Sequence, residues 1–563
     1  MKKNILFMMT IVGSMAIVSC GKLGNLSADN FKATPTPLEA IGGEVPATIN
    51  GIFPEKYMKK KAVVTVTPVL KYEGGEAVGQ SVTFQGEKVE GNGTEISYKV
   101  GGTYTMKTNF KYVPAMISSD LYARFDAKLG KKSVSIPEVK IGYGVLATSD
   151  LLSQCTITAS TAQDAFQRVI EQKQEASIKF LIGQANLRAS ELSSLSIKDL
   201  VNILKEINDM QEERALQSIE VSAYASPDGS YAVNERLAER RQDVSSDYMK
   251  KELKKINMEA DIDTKFTAED WEGFQELISK SNLQDKDVIL RVLSMYQDPE
   301  EREQQIRNMS SVFTEIAEGI LPELRRARLI VSYEVIGRSD EQILAQYNQD
   351  ASVLSLEELI YGSNMLVEDA TTRKQWYENI IKLHPNDYRA YNNLAQMAIM
   401  ENNNSAAQNW LQKAQAINAK APETNANLAI LAIKNNDIAN AETCMGKASG
   451  SDTFNEILGN LNIAKGNYTQ AQQNLSKTNT NSAALAQILC KDYAKAQATL
   501  SAIKSPDAIT SYLKAILAAR TSDTGALKTN LKAAITSDAS LKDRAANDLE
   551  FAQYKSTIAE LVK

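Results

Sequence analysis

A set of small and apolar residues recurs at a spacing of 34 residues in the C-terminal part of this 563-residue chain. The first copy is Tyr391, Leu394, Ala395, Ala398, Ala407, Leu411 and Ala414, and the second is Asn425, Leu428, Ala429, Ala432, Ala441, Met445 and Ala448. A third copy keeps Leu458, Gly459, Ala471 and Leu475, and a shorter fourth copy keeps Ala484, Ala496 and Leu500. Small residues at these positions let two helices pack closely, so each copy predicts one helix pair.

This period and placement resemble the tetratricopeptide repeat, although the consensus tryptophan is absent. The resemblance covers residues 354–563 and implies a C-terminal α-solenoid in which each repeat contacts only its neighbours. Such a solenoid offers a surface for a protein partner, which the sequence does not identify. A helical bundle with no fixed period is the alternative interpretation.

The N-terminus has the pattern of a secreted lipoprotein. Lys2 and Lys3 precede an apolar run from Ile5 to Val18, which is shorter than the roughly 20 residues of a membrane-spanning helix. The run ends in "IVSC", which resembles the bacterial lipobox, whose cysteine is acylated and becomes the first residue of the mature protein. The resemblance implies a signal peptide over residues 1–19 and a lipid anchor on Cys20 that binds the protein to a membrane. An ordinary signal peptide that contains a cysteine is the alternative.

Composition excludes several classes of function. A net charge of -6 argues against a nucleic-acid partner, because phosphate binding needs a clustered basic surface. The single histidine, His384, leaves little material for a histidine-based metal site or a Ser/His/Asp triad, and no cofactor or metal is expected. Besides Cys20, three widely spaced cysteines, Cys155, Cys444 and Cys490, do not make a disulfide framework.

Two regions precede the middle of the chain. Residues 20–48 are rich in Gly, Ser, Thr, Pro and Ala, and this composition predicts a tether that buries no core. Over residues 49–150, alternating segments such as "AVVTVTPVLKY" and "TYTMKTNFKYV" are separated by glycine-rich turns. This spacing predicts a small β-sandwich, and we expect it to serve as a spacer or protein-contact domain.

Residues 158–340 mix strand-like and helical periods. Strands are predicted at "SIKFLIG", "SIEVSAY" and "RLIVSYEVIG", with helices after the first two and a longer helical segment before the third. Strands alternating with helices that cover one face of a sheet predict an α/β sandwich with a helical insertion. The whole chain is therefore expected to be a multidomain α+β protein.

The stretch "ASPDGSYAVNERLAERR", residues 225–241, joins a turn to an arginine-rich helix directly after a predicted strand. It resembles the OmpA-like peptidoglycan-binding domain, because the following residues fall at matching positions without a gap: Tyr224, Gly229, Ser230, Asn234, Leu237, Glu239, Arg240 and Arg241. In that family a turn Asp and a closing helix Arg bind the carboxylates and ammonium of the diaminopimelate side chain in the wall stem peptide.

The resemblance implies a peptidoglycan site made of Ser226, Asp228, Asn234 and Arg241. Arg241 matches the family arginine, and a guanidinium can bind a carboxylate with two parallel hydrogen bonds. We expect it on an exposed helix face. Ser226 stands where the family has Asp, so Asp228 is the nearest acid. The alternative is that "SPDG" is only a favourable turn and the arginines a solvated face.

Three functional hypotheses follow. The first is a non-enzymatic outer-membrane lipoprotein that binds peptidoglycan through the OmpA-like domain and a protein through its repeats. The second is a scaffold subunit of a secretion, pilus-assembly or outer-membrane assembly machine whose OmpA-like domain no longer binds the wall. The third, an enzyme with paired carboxylates, lacks a recognisable pair.

Surface-exported lipoproteins of the Bacteroides group resemble one another in an acidic run after the cysteine. Here "GKLGNLSADN" has none, which favours the periplasmic face.

Overall fold

The computed structural model describes residues 23–283, 285–308 and 310–562. The predicted signal peptide and the lipidation site at Cys20 lie outside the described residues. Contacts divide the chain into two compact units: Met1–Gln163 with Asp369–Lys563, and Asp164–Glu368. Within the described residues, no helix combines the length and apolar character needed to cross a membrane.

The N-terminal part of the first unit is built from three β-sheets. Its strands are Phe31–Thr34 (β1), Leu38–Glu39 (β2), Glu44–Phe53 (β3), Ala62–Tyr72 (β4), Gly75–Val78 (β5), Val82–Gly86 (β6), Thr94–Ile96 (β7), Gly102–Lys111 (β8), Ser119–Leu129 (β9), Lys132–Val134 (β10), Val139–Tyr143 (β11) and Val145–Leu146 (β12). One sheet has the order β1-β3-β8, and a larger one has the order β10-β9-β4-β6-β7, with β5 on β4 and β11 on β9. The third is a parallel pair of β2 and β12.

A single apolar core joins the two larger sheets. Alternate residues of β3 are buried, as the period of two in the sequence predicts for strands with one covered face. Phe53 and Tyr104 from one sheet pack with Phe84 from the other, and the ring centroids of Phe84 and Tyr104 lie 4.3 Å apart. The N-terminal sheets that the sequence predicts are therefore present.

The predicted tether over residues 20–48 is wrong for much of its length. Phe31, Ala33 and Val45 are buried in the core, and β1 pairs with β3 from Phe31 opposite Gly51 to Thr34 opposite Thr48. The prediction failed because it rested on average composition, whereas a few apolar residues at alternate positions suffice to bury one edge of a strand.

The second part of the first unit consists of helix pairs. Its helices, numbered after the ten of the second unit, are Ala370–Leu383 (α11), Arg389–Met400 (α12), Asn404–Ile417 (α13), Pro422–Lys434 (α14), Ile438–Met445 (α15), Phe454–Ala464 (α16), Tyr468–Asn474 (α17), Asn481–Leu489 (α18), Tyr493–Ala502 (α19), Ala508–Arg520 (α20), Thr524–Ser537 (α21), Leu541–Asn547 (α22) and Lys555–Leu561 (α23). Residues 354–368, predicted to begin the solenoid, belong instead to the second unit.

In each helix pair from α12/α13 to α20/α21, the loop between the two helices has the same backbone form. The residue before the second helix's cap has a positive φ, and the cap is Asn or Asp. The positive-φ residues are Asn402, Asn436, Gly466, Lys491 and Ser522, followed by Asn403, Asp437, Asn467, Asp492 and Asp523. The small residues of the sequence repeat are buried at the helix contacts, including Ala395, Ala407 and Ala441. The sequence repeat therefore gives a register of helix pairs, and α20/α21 adds a fifth.

The second unit has a four-stranded sheet with helices. Its elements are Val169–Lys179 (β13), Ala189–Leu192 (α1), Leu195–Asp209 (α2), Arg214–Tyr224 (β14), Tyr231–Lys255 (α3), Ile262–Thr267 (β15), Trp271–Lys280 (α4), Lys286–Met295 (α5), Pro299–Asn308 (α6), Ser310–Gly319 (α7), Leu321–Leu324 (α8), Arg326–Ile336 (β16), Asp340–Asp350 (α9) and Leu356–Tyr361 (α10). The strand order is β13-β16-β14-β15. β16 is antiparallel to both neighbours, and β14 is parallel to β15.

Two features of this unit differ from the sequence prediction. The first strand ends at Lys179, and the apolar Leu181 and Ile182 that follow are exposed. The edge strand β15 was not predicted, because only Ile262 and Phe266 in it are apolar and every residue after Ile262 is exposed. A strand that forms at a sheet edge without a covered face leaves little periodic signal in the sequence.

Candidate functional site

The predicted wall-binding residues lie around the turn between β14 and α3. Ser226 Oγ donates to Asp228 Oδ1 at 2.5 Å and accepts from Arg325 Nε at 3.2 Å. Arg325 Nη2 also donates to Asp228 Oδ2 at 2.9 Å. Arg325 stands between α8 and β16, far from the turn in sequence. The structure thus brings Ser226 and Asp228 together and pairs both with an arginine that the sequence analysis did not select.

Asn234 supports the turn from the first helical turns of α3. Its Nδ2 atom donates to the carbonyl oxygens of Ser226, at 3.1 Å, and Gly229, at 3.0 Å. The Asn234 side chain is buried, so an amide that satisfies two turn carbonyls holds the backbone in place. Its position is explained by this structural role without a ligand.

The expectation that Arg241 lies on an exposed helix face is wrong. The residue is 1% exposed. Its Nε donates to the Gln184 carbonyl at 3.0 Å, Nη1 to the Tyr224 carbonyl at 2.9 Å and Nη2 to the Leu181 carbonyl at 3.4 Å. The loop after β13 folds over the guanidinium, which also lies 5.2 Å from the ring centroid of Phe180. Helical periodicity alone could not place this loop above α3.

Two arginines, Arg241 and Arg325, lie near one aspartate, Asp228, in this cluster. Burial lowers the pKa of Arg241 to about 10, the neighbouring Arg325 acts in the same direction, and Asp228 opposes both. The Asp228 and Arg325 side chains are themselves only 18% and 11% exposed. The three carbonyls that accept from Arg241 offset part of the cost of burying a cation beside a second cation.

These contacts bear on what the cluster can bind. A diaminopimelate carboxylate would need guanidinium donors that now bind backbone carbonyls, and its ammonium would need Asp228, which now binds Arg325. Arg241 is also only 1% exposed, so a ligand carboxylate could reach its guanidinium only if the covering loop moved. The four predicted residues form a closed polar cluster, and their role in wall binding stays a prediction.

A second site lies on the repeats. The linker segment, residues 155–163, runs along the first helices of successive pairs. There the side chains of Asn393 and Asn427 each accept from the backbone N–H of one linker residue and donate to the carbonyl of the same residue. Ala162 N–H donates to Asn393 Oδ1 at 2.8 Å, and Asn393 Nδ2 donates to the Ala162 carbonyl at 3.0 Å. Ser160 N–H donates to Asn427 Oδ1 at 2.7 Å, and Asn427 Nδ2 donates to the Ser160 carbonyl at 2.8 Å.

Neighbouring side chains complete this surface, which we call the repeat groove: Asn392, Asn393, Asn427, Asp452 and Glu456. Asn392 Nδ2 donates to the Ser160 carbonyl at 3.1 Å, and Asp452 accepts from Ser160 Oγ at 2.5 Å. Glu456 accepts from Thr158 N–H at 3.1 Å. Contacts at residues 158, 160 and 162 have the two-residue period of an extended chain.

The linker segment is buried along most of its length. Cys155, Ile157 and Ala159 belong to the same apolar cluster as the repeat helices, and burial raises the pKa of the Cys155 thiol to about 12. Ser160 and Ala162 are also fully buried. Burying an isoleucine side chain contributes about 1.5 to 3 kcal/mol, so the segment is held by apolar as well as polar contacts.

Sequence analysis missed the repeat groove, although a signal was present. Asn393 and Asn427 stand 34 residues apart, each directly before the Leu-Ala pair of its repeat. An asparagine on the buried side of a helix is unfavourable unless it has a partner, so its recurrence in register indicates a binding role. The small and apolar positions of the repeat describe only helix packing and do not reveal the groove.

The comparisons with known proteins add little to this geometry. No family model matches the chain, and no curated protein matches it. Among solved structures, a tetratricopeptide repeat protein from Parabacteroides merdae ATCC 43184 is similar at 14% identity and a TM-score of 0.28, over 46% of this chain and 96% of that one. Yeast Tom70 is similar at 12% identity and a TM-score of 0.24, over 64% of this chain and 82% of that one. Likenesses this weak carry no argument about function.

Proposed function

We propose that this protein is a non-enzymatic scaffold lipoprotein of the bacterial outer membrane, and that its repeats bind polypeptide. The observation that carries the proposal is the repeat groove, where Asn393 and Asn427 bind the backbone of an extended segment. Backbone groups are common to all polypeptides, so a surface of this chemistry suits protein binding. The resemblance of the helix pairs to tetratricopeptide repeats is consistent with the same role.

The proposed location rests on the sequence. The lipobox-like "IVSC" supports acylation of Cys20, and the lack of an acidic run after it supports the periplasmic face. Replacing Cys20 with Ser should release the protein into the soluble fraction and abolish incorporation of labelled palmitate. A variant that still sediments with outer membranes and still carries the label would contradict the lipoprotein proposal.

For the second unit, we favour an OmpA-like scaffold that no longer binds the wall. Ser226 and Asp228 bind Arg325, and all three donor nitrogens of Arg241 bind backbone carbonyls. This arrangement supports the hypothesis of a subunit of an envelope assembly or secretion machine. Wall binding remains the second candidate, favoured by the gap-free match over residues 224–241 and by two arginines beside one acid.

A sacculus pull-down separates these two candidates. Purified protein is incubated with diaminopimelate-containing sacculi, beside the Ser226→Asp variant, which restores the family's acid. The closed cluster predicts that wild type stays in the supernatant. The wall-binding candidate predicts that wild type sediments and that Ser226→Asp sediments more. Sedimentation of wild type that Arg325→Ala abolishes would replace our proposal with the wall-binding one.

The scaffold role itself needs a test in cells. A photo-reactive amino acid placed at the exposed Asn409 on α13 should give a discrete cross-linked product with an envelope protein. The same probe at Lys250 on α3, in the second unit, serves as the matched control. If exposed positions throughout the repeats give no discrete product, the scaffold proposal fails.

A further inference from the structure

Strand β13 forms one edge of the sheet in the second unit. Among the described strands it pairs only with β16, along all eleven of its residues and without a bulge. Val169 and Ile170, at its start, are 49% and 40% exposed. A long, straight edge strand is a template for pairing with a further strand, because its outer backbone groups have no ladder partner.

The hydrogen bonds around β13 show which of its backbone groups face outward, away from β16. Directly after the strand, the N–H of Phe180 donates to the Arg325 carbonyl, so the even-numbered residues direct their backbone groups toward β16. The odd-numbered residues direct theirs outward. At Lys179 the outward N–H is already taken, because it donates to the Glu191 carboxylate. From 169 to 177 the outward groups form no hydrogen bond with any described residue.

Charges of opposite sign alternate along these outward residues. Glu171, Lys173 and Glu175 share one face of the sheet, and all three are exposed. Glu175 accepts two hydrogen bonds from Arg328, of 2.6 and 2.8 Å. Glu171 instead lies directly opposite Glu334 of β16, and neither of these two carboxylates has an ion-pair partner among the described residues. Like charges opposite one another on paired strands are unfavourable, so a cation at Glu171 would stabilise this edge.

A second copy of the same strand carries that cation at the right place. We propose that β13 pairs antiparallel with β13 of a second copy of this chain, about a two-fold axis through Gln172, and so joins two four-stranded sheets into one. In this register Glu171 of each copy lies opposite Lys173 of the other, and Val169 lies opposite Glu175. Moving the axis by one residue, to Lys173, would place Lys173 opposite itself and Glu171 opposite Glu175, so like charges would meet.

The end of the strand selects between the two registers that match opposite charges. An axis through Gln174 also places lysine opposite glutamate, but it needs the outward groups of Lys179, whose N–H is bound to Glu191. An axis through Gln172 needs only residues 169–175, whose outward groups are open. It is therefore the register that adds hydrogen bonds without breaking any.

Exchange of charges in the full chain tests the pairing. Analytical ultracentrifugation at about 100 μM should show wild type in a monomer–dimer equilibrium, because an edge pairing of this length is a small interface. Glu171→Lys and Lys173→Glu each place like charges opposite one another, so each should weaken the dimer about tenfold or more. An equimolar mixture of the two variants places lysine opposite glutamate again and should restore the dimer. Lys250→Glu, the same charge change on the exposed face of α3, should have no effect.

A cysteine on the proposed axis tests the register. The two copies of residue 172 form a non-hydrogen-bonded pair with Cα atoms about 4.5 Å apart, so Gln172→Cys should form an intermolecular disulfide under mild oxidation. Gln174→Cys is the matched control, because its two copies lie about 13 Å apart and should not join. Wild type, which has the free thiols of Cys155, Cys444 and Cys490, gives the background.

The melting temperature separates loss of the dimer from loss of the fold. Glu171→Lys removes the repulsion from Glu334, so this variant should melt no lower than wild type while it dimerises less. A purely structural role of Glu171 would change melting and leave association unchanged, and that result overturns the proposal.

Three further outcomes overturn it: a wild type that stays monomeric with no disulfide in Gln172→Cys, a dimer that the charge variants do not weaken, or a disulfide in Gln174→Cys in place of Gln172→Cys. A purified chain that stays monomeric while Gln172→Cys joins a different protein in cell envelopes would assign the edge to that protein and also overturn self-pairing. None of these measurements involves the repeats or Cys20, so the proposed scaffold function is tested separately.

Discussion

Asn427 binds Ser160 through both its side-chain amide groups, with N···O distances of 2.7 and 2.8 Å across 267 positions of sequence. Both residues are fully buried, and Asn427 Nδ2 also lies 3.0 Å from Asn392 Oδ1. A buried amide with donors and acceptors satisfied in this way specifies one alignment, because a shift of the segment by one residue would leave several groups unpaired.

Replacing Asn427 with Ala should lower the free energy of unfolding of the first unit by about 1 to 3 kcal/mol. The change leaves the buried Ser160 N–H without its acceptor, and an unsatisfied buried donor carries that cost. Urea denaturation in a Trp271→Phe background reports on this unit, because the remaining tryptophans, Trp376 and Trp410, both lie there. The exposed Asn409→Ala should stay within about 0.5 kcal/mol. Equal effects of the two variants would contradict the role given to Asn427.

Cys155 should resist alkylation in the folded protein. Its thiol is buried, and burial raises its pKa to about 12, so little thiolate forms at pH 8. The folded state keeps a proton that the unfolded state releases above about pH 9, so this group lowers stability as the pH rises from there through about 12. Mass spectrometry after iodoacetamide treatment should find Cys155 unmodified in wild type and modified faster in Asn427→Ala. Rapid modification of native wild type would show that the segment is not buried in solution.

Replacing Arg241 with Ala should lower the stability of the second unit, and its effect should not be limited to ligand binding. The change leaves the carbonyls of Leu181, Gln184 and Tyr224 without their donor and opens a cavity, so we expect a loss of about 2 to 5 kcal/mol. The neighbouring Arg240 is exposed, and Arg240→Ala is the matched control. Hydrogen exchange of peptides from β14 and α3 measures the difference. An Arg241→Ala variant with unchanged exchange would restore the exposed-site interpretation.

Replacing Ala407 with Leu should overpack the contact between α12 and α13. Ala407 is fully buried, and inserting a larger side chain into a packed helix contact costs about 1 to 3 kcal/mol. The exposed Ser405→Leu on the same helix is the control and should change stability little. The melting temperature of Ala407→Leu should fall below that of Ser405→Leu. Identical melting temperatures would mean that the helix register is wrong.

Much of the fold could be predicted from periodicity. Small residues at Ala395, Ala407 and Ala441 predict the helix pairs, because the close contact between two helices recurs with the 34-residue period of the sequence. Strand β4 matches the alternating segment "AVVTVTPVLKY" for the same reason, since a covered sheet face produces a period of two. β1 was missed because its alternation is only four residues long and lies in a polar segment, and β15 was missed because it is mostly exposed.

The candidate site could be predicted only in part. The turn residues Ser226 and Asp228 are local to one motif, so the sequence places them together. Arg325, their actual partner, stands about 100 positions away, and nothing in its immediate sequence points to them.

By itself, the sequence determined the helix pairs of the repeats and the longer strands with one covered face, such as β4, since those follow from local spacing. Only the tertiary structure decided that Arg241 is buried beneath the loop of Leu181, and that Asn427 binds Ser160. Both facts depend on hydrogen bonds between segments distant in the chain, and a polar residue has the same appearance in sequence whether its partner is water, a ligand or its own backbone.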